Sequence, residues 1–101
     1  MDTKELIAET KARFIHNSAK SYLKEKYETR LLVAEQGGLW KADINTISFL
    51  LNYNLEKVVL IDTFENPVLV NRKELLDKLS DTYNSVMEQW LKEWEELEKK
   101  R

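Results

Sequence analysis

The last thirty residues of the chain, Arg72 to Arg101, contain neither Gly nor Pro and read as one amphipathic helix. Leu79, Tyr83, Val86, Trp90, Trp94 and Leu97 recur at steps of three and four, so the apolar stripe follows the 3.6-residue helical period and not a strict heptad. At 1.5 Å per residue such a helix runs about 40 Å, whereas a compact chain of this size has a radius of gyration near 13 Å. Its far end has to meet a partner, either the chain's own first helix or another copy of the chain. Its start is sharply marked. Asn71 is placed as N-cap, Glu74 three residues on can return to the cap's N–H, and Val70 with Leu75 forms a hydrophobic staple.

Upstream, the first helix is expected to begin with Asp2 as N-cap and Glu5 at the capping-box spacing, and to continue to about Tyr27. Its stripe of Ala8, Ala12, Ile15, Ala19, Tyr22 and Leu23, flanked by Ile7 and Phe14, is mostly small, which lets a second helix approach closely. Leu31–Glu35 and Leu39–Ala42 then read as strands joined through Gly37-Gly38, where both glycines are expected at positive φ. Asp43 can cap a short helix from Ile44 that ends near Asn52-Tyr53-Asn54. A second hairpin pairs Val58–Asp62 with Val68–Val70 across Thr63-Phe64-Glu65-Asn66-Pro67. The unbroken apolar run Val58 to Ile61 suggests a central strand buried on both faces.

The order is α-β-β-α-β-β-α. It predicts a single α+β domain over residues 1–101, in which two β-hairpins form a small antiparallel sheet packed by the long N-terminal and C-terminal helices and one short helix.

Composition narrows the functional classes. The absence of Cys among 101 residues removes disulfides, thiolate chemistry and Cys-ligated zinc, and suits a reducing, cytoplasmic compartment. No apolar run approaches the roughly eighteen residues a membrane span needs, and Met1-Asp2-Thr3-Lys4-Glu5 reads as a helix start and not a signal peptide. His16 is the sole histidine and has no acid one turn away, so neither a metal site nor a triad is expected around it. Asp43, Asp62 and Glu65 are the acids nearest the hairpins, and helix cap, strand end and solvated turn account for them better than metal or phosphoryl chemistry. Gly37-Gly38 lacks the Lys-Ser/Thr of a phosphate loop. No catalytic residue, metal or cofactor is expected.

Two interaction surfaces remain. The segment Lys11 to Arg30 carries six cations against Glu25 and Glu28, whereas Glu88 to Glu98 carries five Glu against Lys92, so the two helices have complementary fields. The basic residues Lys20, Lys24, Lys26 and Arg30, interleaved with Phe14, Tyr22 and Tyr27, also offer a nucleic-acid surface as an alternative, against an acidic pI near 5.5. The favoured site is the patch of Tyr83, Met87, Trp90, Trp94 and Leu97, faced by Phe14, Ile15 and Tyr22, because tryptophan is the residue type most enriched in interface hot spots. Those helices imply a homo-oligomer, with a dimer first in line, or a foreign protein partner.

The runs Gly37-Gly38-Leu39-Trp40-Lys41-Ala42-Asp43, Val58 through Val68, and Asn71-Arg72-Lys73-Glu74-Leu75-Leu76 give the chain a further character. In these runs it resembles small proteins of T-even-like tailed phages. The resemblance implies a virion component, an assembly factor or a modifier of a host protein, found in the host cytoplasm or the virion, and it carries no catalytic residues with it.

Overall fold

The structure, a computed structural model, describes residues 3–100, and within them all side chains except those of Ala12 and Phe14. The elements are α1 (Thr3–Arg30), β1 (Leu32–Glu35), β2 (Gly38–Lys41), α2 (Ile44–Asn52), β3 (Lys57–Ile61), β4 (Pro67–Asn71) and α3 (Arg72–Lys99). This is the expected α+β order, with α1 running three residues past Tyr27; the expected Asp2 cap lies outside the described residues.

Caps and turns follow local chemistry. Thr46 N–H donates to Asp43 Oδ1 at 2.8 Å and Glu74 N–H to Asn71 Oδ1 at 3.0 Å, so both predicted N-caps satisfy a helix-end donor. The staple residues Val70 and Leu75 are fully buried. One arm of the capping box is replaced, however. Asn71 N–H donates to Gln36 Oε1 at 2.6 Å, and Gln36 Nε2 donates back to Asn71 O at 3.2 Å, so the first hairpin's turn takes the place expected of Glu74.

The first hairpin corrects the reading of its glycines. Glu35 pairs with Gly38, leaving Gln36 (φ 49°) and Gly37 (φ 81°) as a two-residue turn with both central residues at positive φ. Gly38 is a strand residue and is needed for space: a Cβ there would stand 2.6 Å from Trp40 Cζ2. Trp40, 3% exposed, lies over it and donates Nε1–H to Glu35 O at 2.8 Å.

The two hairpins remain separate two-stranded antiparallel ladders, β1-β2 and β3-β4, and do not merge into one sheet. What joins them is Asp62. Its carboxylate accepts from Leu39 N at 3.1 Å on β2, and from Phe64 N and Asn66 N, each at 3.0 Å, within its own turn. Thr63 N–H adds a bond to Leu39 O at 2.9 Å. These amides, that of Asn66 foremost, hold the carboxyl below its ordinary value of 3.8 against the opposing effect of burial.

Strand β3 also departs from expectation. Val58 faces the core at 7% exposure, but Val59 and Ile61 are about three-fifths exposed, so β3 alternates and is buried on one face only.

The core collects Leu23, Tyr27, Leu31, Val33, Trp40, Ala42, Leu50, Val58, Val70, Leu75, Leu79 and Val86 at one end of an elongated molecule. The molecule extends 65 × 24 × 20 Å with a radius of gyration of 19.2 Å. The far end of α3 meets the chain's own first helix, one of the two partners expected of it. Helix α3 is covered along both halves, by α2 and the strands and then by α1. The helix that overhangs is α1: from Thr3 to Ile15, about 20 Å at the helical rise, every described side chain is exposed.

Two outcomes test these joints. Gly38→Ala should destabilise the chain by about 1–3 kcal/mol through overpacking against Trp40. Gly37→Ala should cost only about 1 kcal/mol, from its φ alone; urea melts separate the two. Asp62→Asn should lower Tm in neutral buffer and shrink the difference in stability between pH 7 and pH 3. A carboxyl held below 3.8 contributes stability above that pH and loses it on acidification.

Candidate interaction surface

Helices α1 and α3 cross back over one another so that the C-terminal half of each meets the other. Tyr27, 1% exposed, stacks on Trp90 with ring centroids 5.9 Å apart and planes 11° from parallel. Its hydroxyl donates to Glu93 Oε1, which also accepts from Lys26 Nζ at 2.6 Å. Arg30 Nη1 donates to Gln89 Oε1 at 3.0 Å while its guanidinium stands 4.9 Å from the Tyr27 ring centroid, within cation–π range. Farther out, His16 Nε2 comes to 3.2 Å from Glu98 Oε1, at ion-pair distance but without hydrogen-bond alignment. The complementary charges of the two segments are thus expressed as direct contacts.

One carboxylate organises the seam electrically. The hydrogen bond from Lys26, then that from Tyr27, holds the Glu93 carboxyl below its ordinary 4.5. The same bonds raise Lys26 above 10.5 and Tyr27 above 10.0, with burial adding to the rise at Tyr27 and opposing it at Lys26.

The predicted patch divides. Tyr83, Trp90 and Leu97 are half-buried and pack on the core of the same chain, and Met87 is half-buried beside them. Trp94 is 39% exposed and lies next to Leu91, 54% exposed, which periodicity reading passed over because it falls off the Leu79–Leu97 stripe. Met87, Leu91 and Trp94 recur at four and three residues and so form a second stripe flanking the first. Ile15 (67% exposed) and Tyr22 (65%) do not face the tryptophans as expected; Leu23 and Tyr27 occupy the inward positions, so the other two turn to solvent. Phe14, also assigned to that face, lies outside the described side chains.

The alternative basic cluster is divided too. Lys20 and Lys24 are exposed, but Lys26 and Arg30 are bound into the seam by Glu93, Gln89 and the Tyr27 ring. Asp43 and Asp62 are spent on backbone amides, and Glu65 is an exposed turn residue at φ 66°. Among the described residues no three His, Cys, Asp or Glu side chains converge to hold a metal ion. Among the described residues no helix is long and apolar enough to cross a membrane. An open groove of about 380 Å³ runs between β2, α2 and the end of β3, lined by Leu39, Lys41, Phe49, Ile61 and Thr63. No protein-family model, curated protein or solved structure matches the chain.

Because Glu93 links every shifted group of the seam, its removal should alter both ends of the pH–stability curve. Its own contribution is present above 4.5 and lost as pH falls below that, while those of Lys26 and Tyr27 are present below 10 and lost as pH rises past their raised values. Glu93→Gln should therefore lower Tm most between about pH 5 and pH 9 and flatten both limbs. Parallel curves for the two proteins would refute this account.

Proposed function

We propose that the chain is a non-enzymatic protein-interaction or assembly protein that engages another protein through its helical rod. The observation that carries this reading is the exposed apolar surface on the arm of α1. About 20 Å of helix, with Leu6 and Ile7 half exposed and Ile15 two-thirds exposed, stands clear of the body, although helices of that length are marginal in water unless a partner covers them. Leu91 and Trp94 on α3 add an aromatic anchor of the kind that dominates interface energetics. The partner that suits both is an amphipathic helical segment laid along the rod, read through apolar anchors at helical spacing. The resemblance to T-even-like phage proteins supports a setting in which that partner is a phage structural protein or a host protein, in the virion or the host cytoplasm.

Substituting Ala for both Leu91 and Trp94 should keep the circular dichroism of the folded chain while lowering Tm, because Leu91 is half exposed but about three-fifths of Trp94 is covered by the chain itself. The same double variant should weaken binding to the partner captured by the full chain by about thirty-fold or more. Amides of Thr3–Ile15 should exchange fastest in α1 and gain protection in the complex. Undiminished binding by the double variant, with no change in arm protection, would refute the proposal.

A further inference from the structure

The outer face of the second hairpin is apolar and uncovered. The ladder pairs Lys57 with Asn71, Val58 with Val70, Val59 with Leu69, Leu60 with Val68 and Ile61 with Pro67. Val58 and Val70 turn inward, so alternation places Val59, Ile61, Pro67 and Leu69 together on the other side. Val59 is 59% exposed, Ile61 63% and Leu69 61%, and Phe64 at the turn is 70% exposed. A solvated hairpin face is ordinarily polar, and a two-stranded hairpin is at best marginally stable by itself. The inner face is accounted for by the core; the outer face has nothing over it among the described residues.

From this face we infer that the chain forms a twofold dimer in which the β3-β4 hairpins of two copies pack face to face. Three features favour a second copy over a foreign partner. The first is shape: Val59 and Leu69 are each the middle residue of their strand and lie directly opposite one another, so the apolar centre is also the centre of the ladder. A twofold axis lying between the faces, across the strands, sets this pair against its own copy and makes a two-layer sandwich about 10 Å thick.

The second feature is charge. The exposed Lys57 stands at the open end of the hairpin and the exposed Glu65 at the turn end. Antiparallel stacking brings Lys57 of each copy towards Glu65 of the other, with the lysine stem crossing Ile61. Parallel stacking would set like charges together. The face is thus complementary to itself in one orientation only, and the opposed charges fix register more than affinity.

The third is area. Four to five large side chains, each about three-fifths exposed, remove roughly 500 Å² per copy, or about 1,000 Å² in the pair, which is the lower bound for a specific interface. The dimer should accordingly be of micromolar strength. It leaves the α1 arm and the Leu91–Trp94 stripe free, so it is independent of the helical reading above and doubles the number of arms on one particle.

Sedimentation equilibrium of the full chain tests this directly. The unmodified chain should be dimeric at about 100 µM and dissociate on dilution into the micromolar range. Leu69→Lys should raise the dissociation constant by about a hundred-fold, and Val59→Ser by about ten-fold, both with unchanged circular dichroism because the positions are exposed. Lys57→Glu and Glu65→Lys should each weaken the dimer several-fold, and combining them should restore it. A monomer at 100 µM overturns the inference. So does a dimer that survives Leu69→Lys but is lost on Trp94→Ala, which would move self-association to the helices, and so does a charge swap that fails to rescue.

Discussion

A 28-residue helix with a mixed, weakly striped surface does not hold itself in water; nucleation is costly, and most helical stability in proteins comes from a packed face. Helix α1 depends on α3 for that face and meets it over its C-terminal half. Tyr27 is the centre of the contact: its ring lies on Trp90, its hydroxyl is on Glu93, and the cations of Lys26 and Arg30 stand within about 5 Å of its ring centroid. An aromatic ring and a carboxylate together can bury the ring without stranding its hydroxyl. The same carboxylate neutralises Lys26, so these two half-buried charges are paired with one another at the seam.

The rest of the body is positioned by this seam and by two polar joints. Each hairpin is too small to persist alone, and neither shares a ladder with the other. Gln36 reaches from the first turn to both backbone groups of Asn71, the residue that caps α3, so one side chain ties hairpin, strand end and helix start together. Asp62 does the equivalent at the opposite end, spending its carboxylate on an amide of β2 and two of its own turn. Both joints are side chain to backbone, which fixes relative placement at a single point and leaves the outer face of β3-β4 uncovered.

Much of this organisation was legible in the sequence because it is local. The caps Asp43 and Asn71, the staple Val70–Leu75, the element order and the opposition of basic and acidic helices follow from residue type at short spacing. What was not legible depends on choices made across the chain. Gly37 and Gly38 look alike in sequence, yet one serves a positive φ and the other clears room for an indole two residues away. The run Val58–Ile61 is compatible with one buried face or two, since periodicity counts apolar residues and not what covers them. Trp90 and Trp94 are equal on a helical wheel up to a modest rotation, and the position of Tyr27 on the opposite helix decides which is covered. Which of the two long helices overhangs is left open by the sequence for the same reason. Length alone identifies a pair of helices too long for the body, and only their register, with His16 near Glu98 at the end of the contact, says which one overhangs.

That register has a consequence for how the molecule works. Sliding α1 by several turns to cover its arm would pull Tyr27 off Trp90 and Glu93 and strand a buried hydroxyl, so the overhang is held out by the same contacts that stabilise the body. The seam therefore sets where the arm leaves the body, and the arm accounts for part of the 65 Å length of the molecule. Pairing through the hairpins, as proposed, would carry two such arms on one particle. A target that offers two copies of the same helical segment at matching separation would be held by both. The second engagement is then intramolecular and gains strength from effective concentration, without further contact area in either arm. Modest interfaces used in this way suit assembly on a repeating surface, where many weak, correctly spaced contacts discriminate better than one strong one.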